Sequence, residues 1–557
     1  MNRPAGTRRR CALNLVLLLL NETASLCRAG PPDPTTRTVA GVPSDAELEA
    51  AGAVIGDIYI NNENIFNLKE PKDDTTLFRV ADRLHAPTRA GVIRDQLLFH
   101  TGDRYSRRVL DETERILRSN QYFYDAWILP VMYHDGRVDL RITTRDVWTL
   151  DPGFQFGRAG GTNSTGAQLE ELNLAGTGSA ITVGHTSTID RSESIVGAAH
   201  NNIFGSRITL SGSYAQASDG VQSQFTVARP FYSLETHEAA GVSDFAYDQT
   251  DSLYDRGQII DQFHDHRRLW QAYTGWSTGL QGGWVQRLSL GATYDEHLFA
   301  PLSNSIGPSF LPEDRRFVYP WIRYDLLQDD FARVFNHDQI QRTEDFYLGT
   351  TLSLQVGWTD KALDSTHKAV LFQGAAGKGF GDPDHMLLLL STSLNGRLDE
   401  GKEVRNTQAT GTIRYYFKQS DKFLFFWTVT GTKGWGLPLD QQILLGGDNG
   451  LRGYPLRFQD GTSSGLLTVE QRYFTDWYLF RLLRVGGAVF FDAGRTWGSA
   501  PLAQPSLGLL KDAGLGLRFG NARSGLGNVV HVDLAVPLNA PPTVSKLQFL
   551  VDTQQSF

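Results

Sequence analysis

From about Asp151 to Phe557 the chain alternates apolar and polar residues with a period of two, in short segments separated by Gly, Asn, Asp and Ser turns. Ala180–His185, Arg207–Tyr214, Gln224–Ala228, Arg287–Tyr294 and Tyr347–Gly357 are examples. A period of two is the signature of half-buried strands. The last strands are the clearest. Leu515, Leu517 and Phe519 share a face, as do Val530, Val532, Leu534 and Val536, with His531 and Asp533 on the opposite face. Leu547, Phe549, Val551 and Phe557 keep the same parity to the end. A soluble β-sandwich or propeller needs a polar outer face. Here one face of the late strands is bare Val, Leu and Phe, which points to strands bathed in lipid. The expectation is a mainly β fold whose residues 151–557 form a transmembrane β-barrel. At about 25 residues per strand and loop, some 400 residues give sixteen antiparallel strands.

Residues 53–147 have a different pattern. Val54–Ile60 alternates like a strand, Thr88–His100 carries helical spacing through Val92, Ile93, Leu97 and Leu98, and a second helix follows from Ser106, a candidate N-cap. Its stripe is Val109, Leu110, Thr113, Ile116 and Leu117. Two strands, Trp127–Tyr133 and Arg137–Thr143, turn at His134-Asp135-Gly136. This order makes one small α+β domain, with residues 61–87 as an insertion after its first strand. Residues 30–52, rich in Pro, Thr and Ala, read as a linker.

Residues 1–29 read as a secretory signal peptide. Arg3, Arg8, Arg9 and Arg10 precede an apolar run, Cys11–Leu20, that is too short to span a bilayer as a helix, and Cys27-Arg28-Ala29 suits cleavage. Removing it takes away both cysteines, Cys11 and Cys27, so an exported chain would hold no disulfide. The 56 Gly, 11 Trp, 31 Phe and 19 Tyr against 3 Met lean toward a barrel with aromatic girdles. A net charge of −8 argues against nucleic acid as a partner.

The candidate chemistry is electrostatic. Arg452 sits in the turn Leu451-Arg452-Gly453-Tyr454-Pro455. In the strand Leu466–Tyr473, outward Leu467, Val469 and Tyr473 leave Glu470 and Arg472 facing inward. In Val485–Gly494, outward Val485, Val489 and Phe491 leave Phe490 and Asp492 inward. An arginine on a returning loop can then form charge-assisted pairs with Glu470 or Asp492. Gly453 would allow a backbone conformation closed to other residues, and Tyr454 would pack on the inner wall. Gly461-Thr462-Ser463-Ser464-Gly465 fits the G-x-S-x-G pattern, but a strand follows it where a nucleophile elbow needs a helix, so it reads as a polar turn. His264-Asp265-His266 reads as a solvated loop, not a metal site. No cofactor is implied and no enzymatic activity is expected.

These features together resemble the BamA/TamA outer-membrane assembly superfamily. The resemblance rests on Arg452-Gly453-Tyr454, which is similar to the tripeptide of that family's lumen-inserted sixth extracellular loop. Glu470-x-Arg472 and Phe490-x-Asp492 match its paired strand motifs. Leu172-Asn173-Leu174-Ala175-Gly176-Thr177-Gly178 is similar to its first barrel hairpin. By the same resemblance, His100–Ser106 and Asn120-Gln121-Tyr122-Phe123 imply that the α+β domain is a single POTRA-like periplasmic domain. Leu547, Phe549, Val551 and Phe557 would be the C-terminal strand signal. The family implies a Gram-negative outer-membrane protein that inserts or translocates polypeptides by β-strand augmentation. Its partners would be unfolded outer-membrane or secreted polypeptides, outer-membrane lipid, and periplasmic chaperones or accessory lipoproteins. The alternative is a passive outer-membrane pore for solutes.

Overall fold

The structure is a computed structural model that describes residues 39, 41–302, 311–498, 506–524 and 529–554. The expected signal peptide, residues 30–38 and 40 of the linker, and Phe557 lie outside the described residues. Within the linker range a short helix forms, α1 (Asp45–Ala50). Ser44 and Glu47 close it with a reciprocal capping box.

The N-terminal unit then runs β1 (Val54–Glu63), α2 (Thr76–Leu84), α3 (Ala90–Arg94), α4 (Arg107–Arg118), β2 (Phe123–His134) and β3 (Arg137–Asp146). Its sheet has the order β1-β3-β2, with β1 parallel and β2 antiparallel to β3. Ile55, Ile93, Leu97, Leu110, Leu117, Phe123, Ile128, Leu140 and Ile142 form its core. The POTRA-like assignment is corrected here. Three helices stand between β1 and β2, and α2 arises from the stretch read as an insertion, capped by Thr75. The unit is an α+β domain. Ser106 occupies the N-cap position of α4 but makes no capping hydrogen bond. The expected Thr88–His100 helix is only the five-residue α3.

The barrel begins with β4 (Leu150–Ala159), β5 (Thr162–Glu171), β6 (Ser179–Ser187), β7 (Ser192–His200), β8 (Thr209–Ala217) and β9 (Gly220–Arg229). Longer strands follow: β10 (Glu238–Asp255), β11 (Gln258–Gln281), β12 (Trp284–Pro301) and β13 (Arg315–Gln328). A hairpin of β14 (Phe331–Phe335) and β15 (Thr343–Tyr347) interrupts the wall, which resumes with β16 (Thr351–Thr359), β17 (Ala369–Asp382), β18 (Met386–Asp399), β19 (Val404–Lys418) and β20 (Phe423–Trp435). A long loop carries the short pair β21 (Ile443–Leu445) and β22 (Gln459–Gly461). The wall then closes with β23 (Ser463–Leu479), β24 (Leu483–Trp497), β25 (Leu510–Asn521), β26 (Val529–Pro537) and β27 (Gln548–Gln554).

The closed antiparallel barrel therefore has twenty strands, not sixteen. The early hairpins account for the difference. Residues 150–229 hold six strands, because their connections are short and the strands themselves only nine or ten residues long. Tyr347, read from the sequence as part of a wall strand, ends β15 instead, and the wall strand starts at Thr351. Val489, Leu515, Leu517, Leu534 and Val536 are exposed on the outer face, while Glu470, Arg472, Asp492, Arg518 and Asp533 are buried on the inner face. No helix among the described residues is long and apolar enough to cross a membrane.

Candidate functional site

The loop between β20 and β23 turns back into the barrel. β21 pairs with β22 at its base. Leu451, Tyr454 and Phe458 pack with Leu445, Leu510 and Val544, so an apolar knot holds the turn. That knot aims Arg452 at the wall. Its Nε and Nη2 donate to the two carboxylate oxygens of Asp492 at 2.7 and 3.0 Å, and its Nη1 donates to Glu470 Oε1 at 2.9 Å and Asp533 Oδ2 at 3.5 Å. The guanidinium lies 3.4 Å above the ring centre of Phe490. One cation thus meets three carboxylates and an aromatic face, the arrangement that makes a desolvated charge tolerable. Tyr454 is fully buried, and its hydroxyl bridges Lys511 O at 3.0 Å and Asn539 Oδ1 at 2.9 Å.

Gly453 is needed for space and not for an unusual backbone angle, which corrects the sequence-based expectation. It is absent from the positive-φ residues. A Cβ there would stand 2.6 Å from Asp512 Cβ and 3.1 Å from Pro537 N. Gly160, in the β4–β5 turn at φ +55°, has a similar role. A Cβ there would meet Leu456 N at 2.2 Å. The loop therefore presses directly on the first barrel turn.

The charges continue through the lumen. Arg472 Nε donates to Glu470 Oε2 at 2.9 Å and its Nη1 to His337 O at 2.8 Å and Asp338 Oδ1 at 3.2 Å. Its guanidinium sits 3.9 Å over Phe426. Arg518 pairs with Asp533 and lies 3.9 Å from Glu470 Oε1. Glu470 is the hub, with three arginines within reach. Asp338, Arg518 and Asp533 were not chosen as site residues from the sequence. The inward parity of Asp533 was legible, as was that of Arg518 between the outward Leu517 and Phe519. Asp338 lies in the β14–β15 hairpin and gave no local signal.

The first and last barrel strands meet differently from the rest. Among the described residues, β27 pairs with β26 through seven residue pairs and β4 pairs with β5 through ten, but β27 and β4 share one pair, Val551 with Arg158. Phe549 and Leu547 face outward beside this seam, and Val551 is half-buried within it. Tyr454 grips residues on the β27 side of the far rim, while Pro455 and Leu456 abut Gly160 on the β4 side. The loop therefore spans the seam at one end.

The α+β domain has two sheet edges. On β2, Ile128 N donates to Glu114 Oε1 at 2.7 Å. Ala126 O and Ile128 O accept from Arg118 and Arg107 of α4 at 2.8 and 3.0 Å. Pro130 and a bulge at Pro130–Met132 interrupt the remainder, both of them devices that blunt an edge. On β1, Ile55 is covered by the 102–103 turn, and Ile58–Glu63 continue in regular register with β3 alone. The domain docks on one rim of the barrel. Glu112 Oε1 accepts from Leu234 N at 2.7 Å, Arg108 pairs with Glu235 at 2.9 Å, and Arg523 reaches Ile65 O at 2.6 Å. Burial pushes the Glu112 carboxyl above its ordinary range, outweighing the Leu234 amide and Arg108 that act to lower it.

The two rejected motifs also have places. Ser463 opens β23 and is buried, not a mobile turn. His264-Asp265-His266 lies within β11 and not in a loop; His264 pairs with Asp248 at 2.5 Å, and Asp265 accepts from Tyr247 at 2.7 Å.

A closed antiparallel barrel with an apolar outer belt and a charged lumen entered by its own loop is a transmembrane β-barrel of the outer-membrane class. Residues 386–557, which include Arg452 and the carboxylates it meets, match the Omp85 superfamily domain, which points to an outer-membrane protein. Among solved structures it is similar to BamA from Haemophilus ducreyi lacking POTRA domains 1–3, at 13% identity and TM-score 0.40, covering 89% of this chain and 85% of that one. It is also similar to CdiB from Acinetobacter baumannii, at 11% identity and TM-score 0.41 over 90% and 73% of the two chains. CdiB from Escherichia coli matches at 12% and 0.44 over 90% and 76%. Likeness at this level says nothing about activity. No curated protein matches the chain. The superfamily domain supports, in general terms, a role in outer-membrane protein insertion or polypeptide translocation.

Proposed function

We propose that this protein is a non-enzymatic outer-membrane factor that handles unfolded polypeptides by lending them a strand edge, with its α+β domain in the periplasm. The observation that carries the reading is the seam. A barrel strand in lipid must satisfy its N–H and C=O groups within the protein. Among the described residues β4 and β27 do so for each other at one residue pair, which leaves edge available on both strands to an incoming strand. The loop of Arg452, Gly453 and Tyr454 holds the far end of that seam. Its hold on Glu470 and Asp492 keeps the barrel shut there while the rest of the seam stays loose. On the periplasmic side, the Ile58–Glu63 stretch of β1 is the edge that extended clients would use, since α4 and Pro130 obstruct β2. The loop and the hairpin both enter the lumen, which disfavours an open solute pore.

The test is a disulfide across the seam. The double variant Arg158→Cys/Val551→Cys, oxidised, is expected to fold and run as a heat-modifiable barrel yet fail to assemble a urea-unfolded eight-stranded outer-membrane barrel in reconstituted vesicles. Reduction should restore assembly. Full activity of the oxidised form would sink the reading.

A further inference from the structure

We propose that the β14–β15 hairpin is a tethered plug. It closes the domain-side mouth of the lumen and ties the α+β domain to the loop that carries Arg452. Asp338 is the positioning residue at its tip. The hairpin does not join the barrel wall. Its two strands pair only with each other, between β13 and β16. Its apolar side is seated inside the barrel, where Ala332, Val334, Ile340 and Leu348 pack against Leu387, Tyr416, Leu424, Phe426, Phe474 and Val529. With Ala488 of β24, this seat is lined by inward residues of six wall strands, so the hairpin obstructs the mouth it occupies.

Two sets of charges hold it. Toward the lumen, Asp338 accepts from Arg472 at 3.2 Å and from the Tyr416 hydroxyl at 3.1 Å, and His337 O accepts from Arg472 at 2.8 Å. Toward the domain, Asp345 takes a two-pronged pair from Arg118 of α4, both contacts at 2.8 Å, and Arg333 reaches Glu114 of α4 at 2.6 Å. Thr343 donates to Asp125 at 3.1 Å, and Tyr124 donates to Gln341 O at 2.8 Å. The chain Arg452–Glu470–Arg472–Asp338 therefore runs from the far-side loop to the hairpin tip, and Asp345–Arg118 and Arg333–Glu114 run from its base to α4. Hairpin and wall are joined by side chains and not by a backbone ladder, so the hairpin can withdraw without breaking a strand pair. A shift of the α+β domain pulls on the hairpin, and withdrawal takes Asp338 from Arg472. Arg472 then keeps its bond to Glu470, in competition with Arg452.

The experiment uses the full chain with Cys11→Ser and Cys27→Ser, reconstituted in vesicles, with Gln339→Cys as a reporter at the hairpin tip. A membrane-impermeant maleimide is presented on the side opposite the α+β domain. Cutting the domain-side ties with Arg333→Ala/Asp345→Asn should raise the labelling rate about tenfold or more, the scale of losing charge-assisted bonds. It should also enlarge conductance steps in planar bilayers. Asp345→Glu should restore the slow rate, and Asp345→Asn alone serves if the double variant fails to fold. Combining the cut with Arg452→Ala should give a non-additive change in labelling, since both act on one network. Unchanged labelling and conductance on cutting the ties would overturn the plug. Strictly additive effects would overturn the link to the loop.

Discussion

Two parts of the same barrel wall are built on opposite principles. From β23 to β26 every neighbouring pair carries a full ladder, and the inner face is locked by Glu470, Asp492, Asp533, Arg518, Arg472 and the incoming Arg452. At β27–β4, a short distance around the same wall, the ladder among the described residues falls to one pair, and no such network among them crosses it. Buried ion networks stabilise little overall, but they punish any rearrangement severely, because each charge is left uncompensated when its partner moves. Placing the network beside the seam makes one sector rigid and leaves the neighbouring edges free to part. The contrast is thus a division of labour within one sheet.

The rigid side is where substitution should cost most. Glu470→Ala removes the carboxylate that Arg452, Arg472 and Arg518 share inside the barrel. It should destabilise the folded barrel by about 3–5 kcal/mol, the cost of breaking a buried pair, read as a lower temperature for loss of the compact form on gels. If Glu470→Ala melts with the wild type, the network is not what holds this sector. Next in size, Gly453→Ala forces a Cβ to within 2.6 Å of Asp512 Cβ. It should cost about 1–3 kcal/mol as overpacking and weaken the loop without removing any charge. The comparison sharpens if hydrogen exchange is followed in lipid. Amides of β4 and β27 should exchange about a hundredfold faster than those of β24 and β25. Equal protection on the two sides would erase the distinction.

How much of this was legible beforehand follows from the range of the interactions. Alternation in Leu466–Tyr473 and Val485–Gly494 reports parity locally, so the inward set Glu470, Arg472, Phe490 and Asp492 could be read without knowing the closure. The strand number could not, because it depends on loop lengths. The glycine turn at Gly160-Gly161 and the short connections of β5–β9 carry no periodic signal. Asp338 was invisible for a different reason. Its partner Arg472 is 134 positions away, and the two meet only because the hairpin turns into the closed wall. Helix α2 was missed because Leu77, Val80 and Leu84 are exposed, so its apolar pattern does not mark a core face.

The smallest effect tests whether the docking of the α+β domain belongs with the rigid side or the loose side. Glu112 of α4 is buried at the contact with Leu234, and its carboxyl is pushed up by that burial. A carboxyl whose folded value is raised binds its proton more tightly when docked. Its contribution to docking is therefore fully present below about pH 4, the ordinary carboxylate range, and is lost as the pH rises through the raised value. Opening of the contact, followed by hydrogen exchange at the Leu234 amide, should increase from pH 4 to pH 8 by about tenfold or less. Glu112→Gln, which still accepts from that amide without ever carrying charge, should flatten this dependence. Such a result would mark the domain contact as adjustable, like the seam, and unlike the ion-locked wall. A contact that tightens as the pH rises would mean that Arg108 outweighs burial at Glu112, and that the domain is clamped by charge as the lumen is.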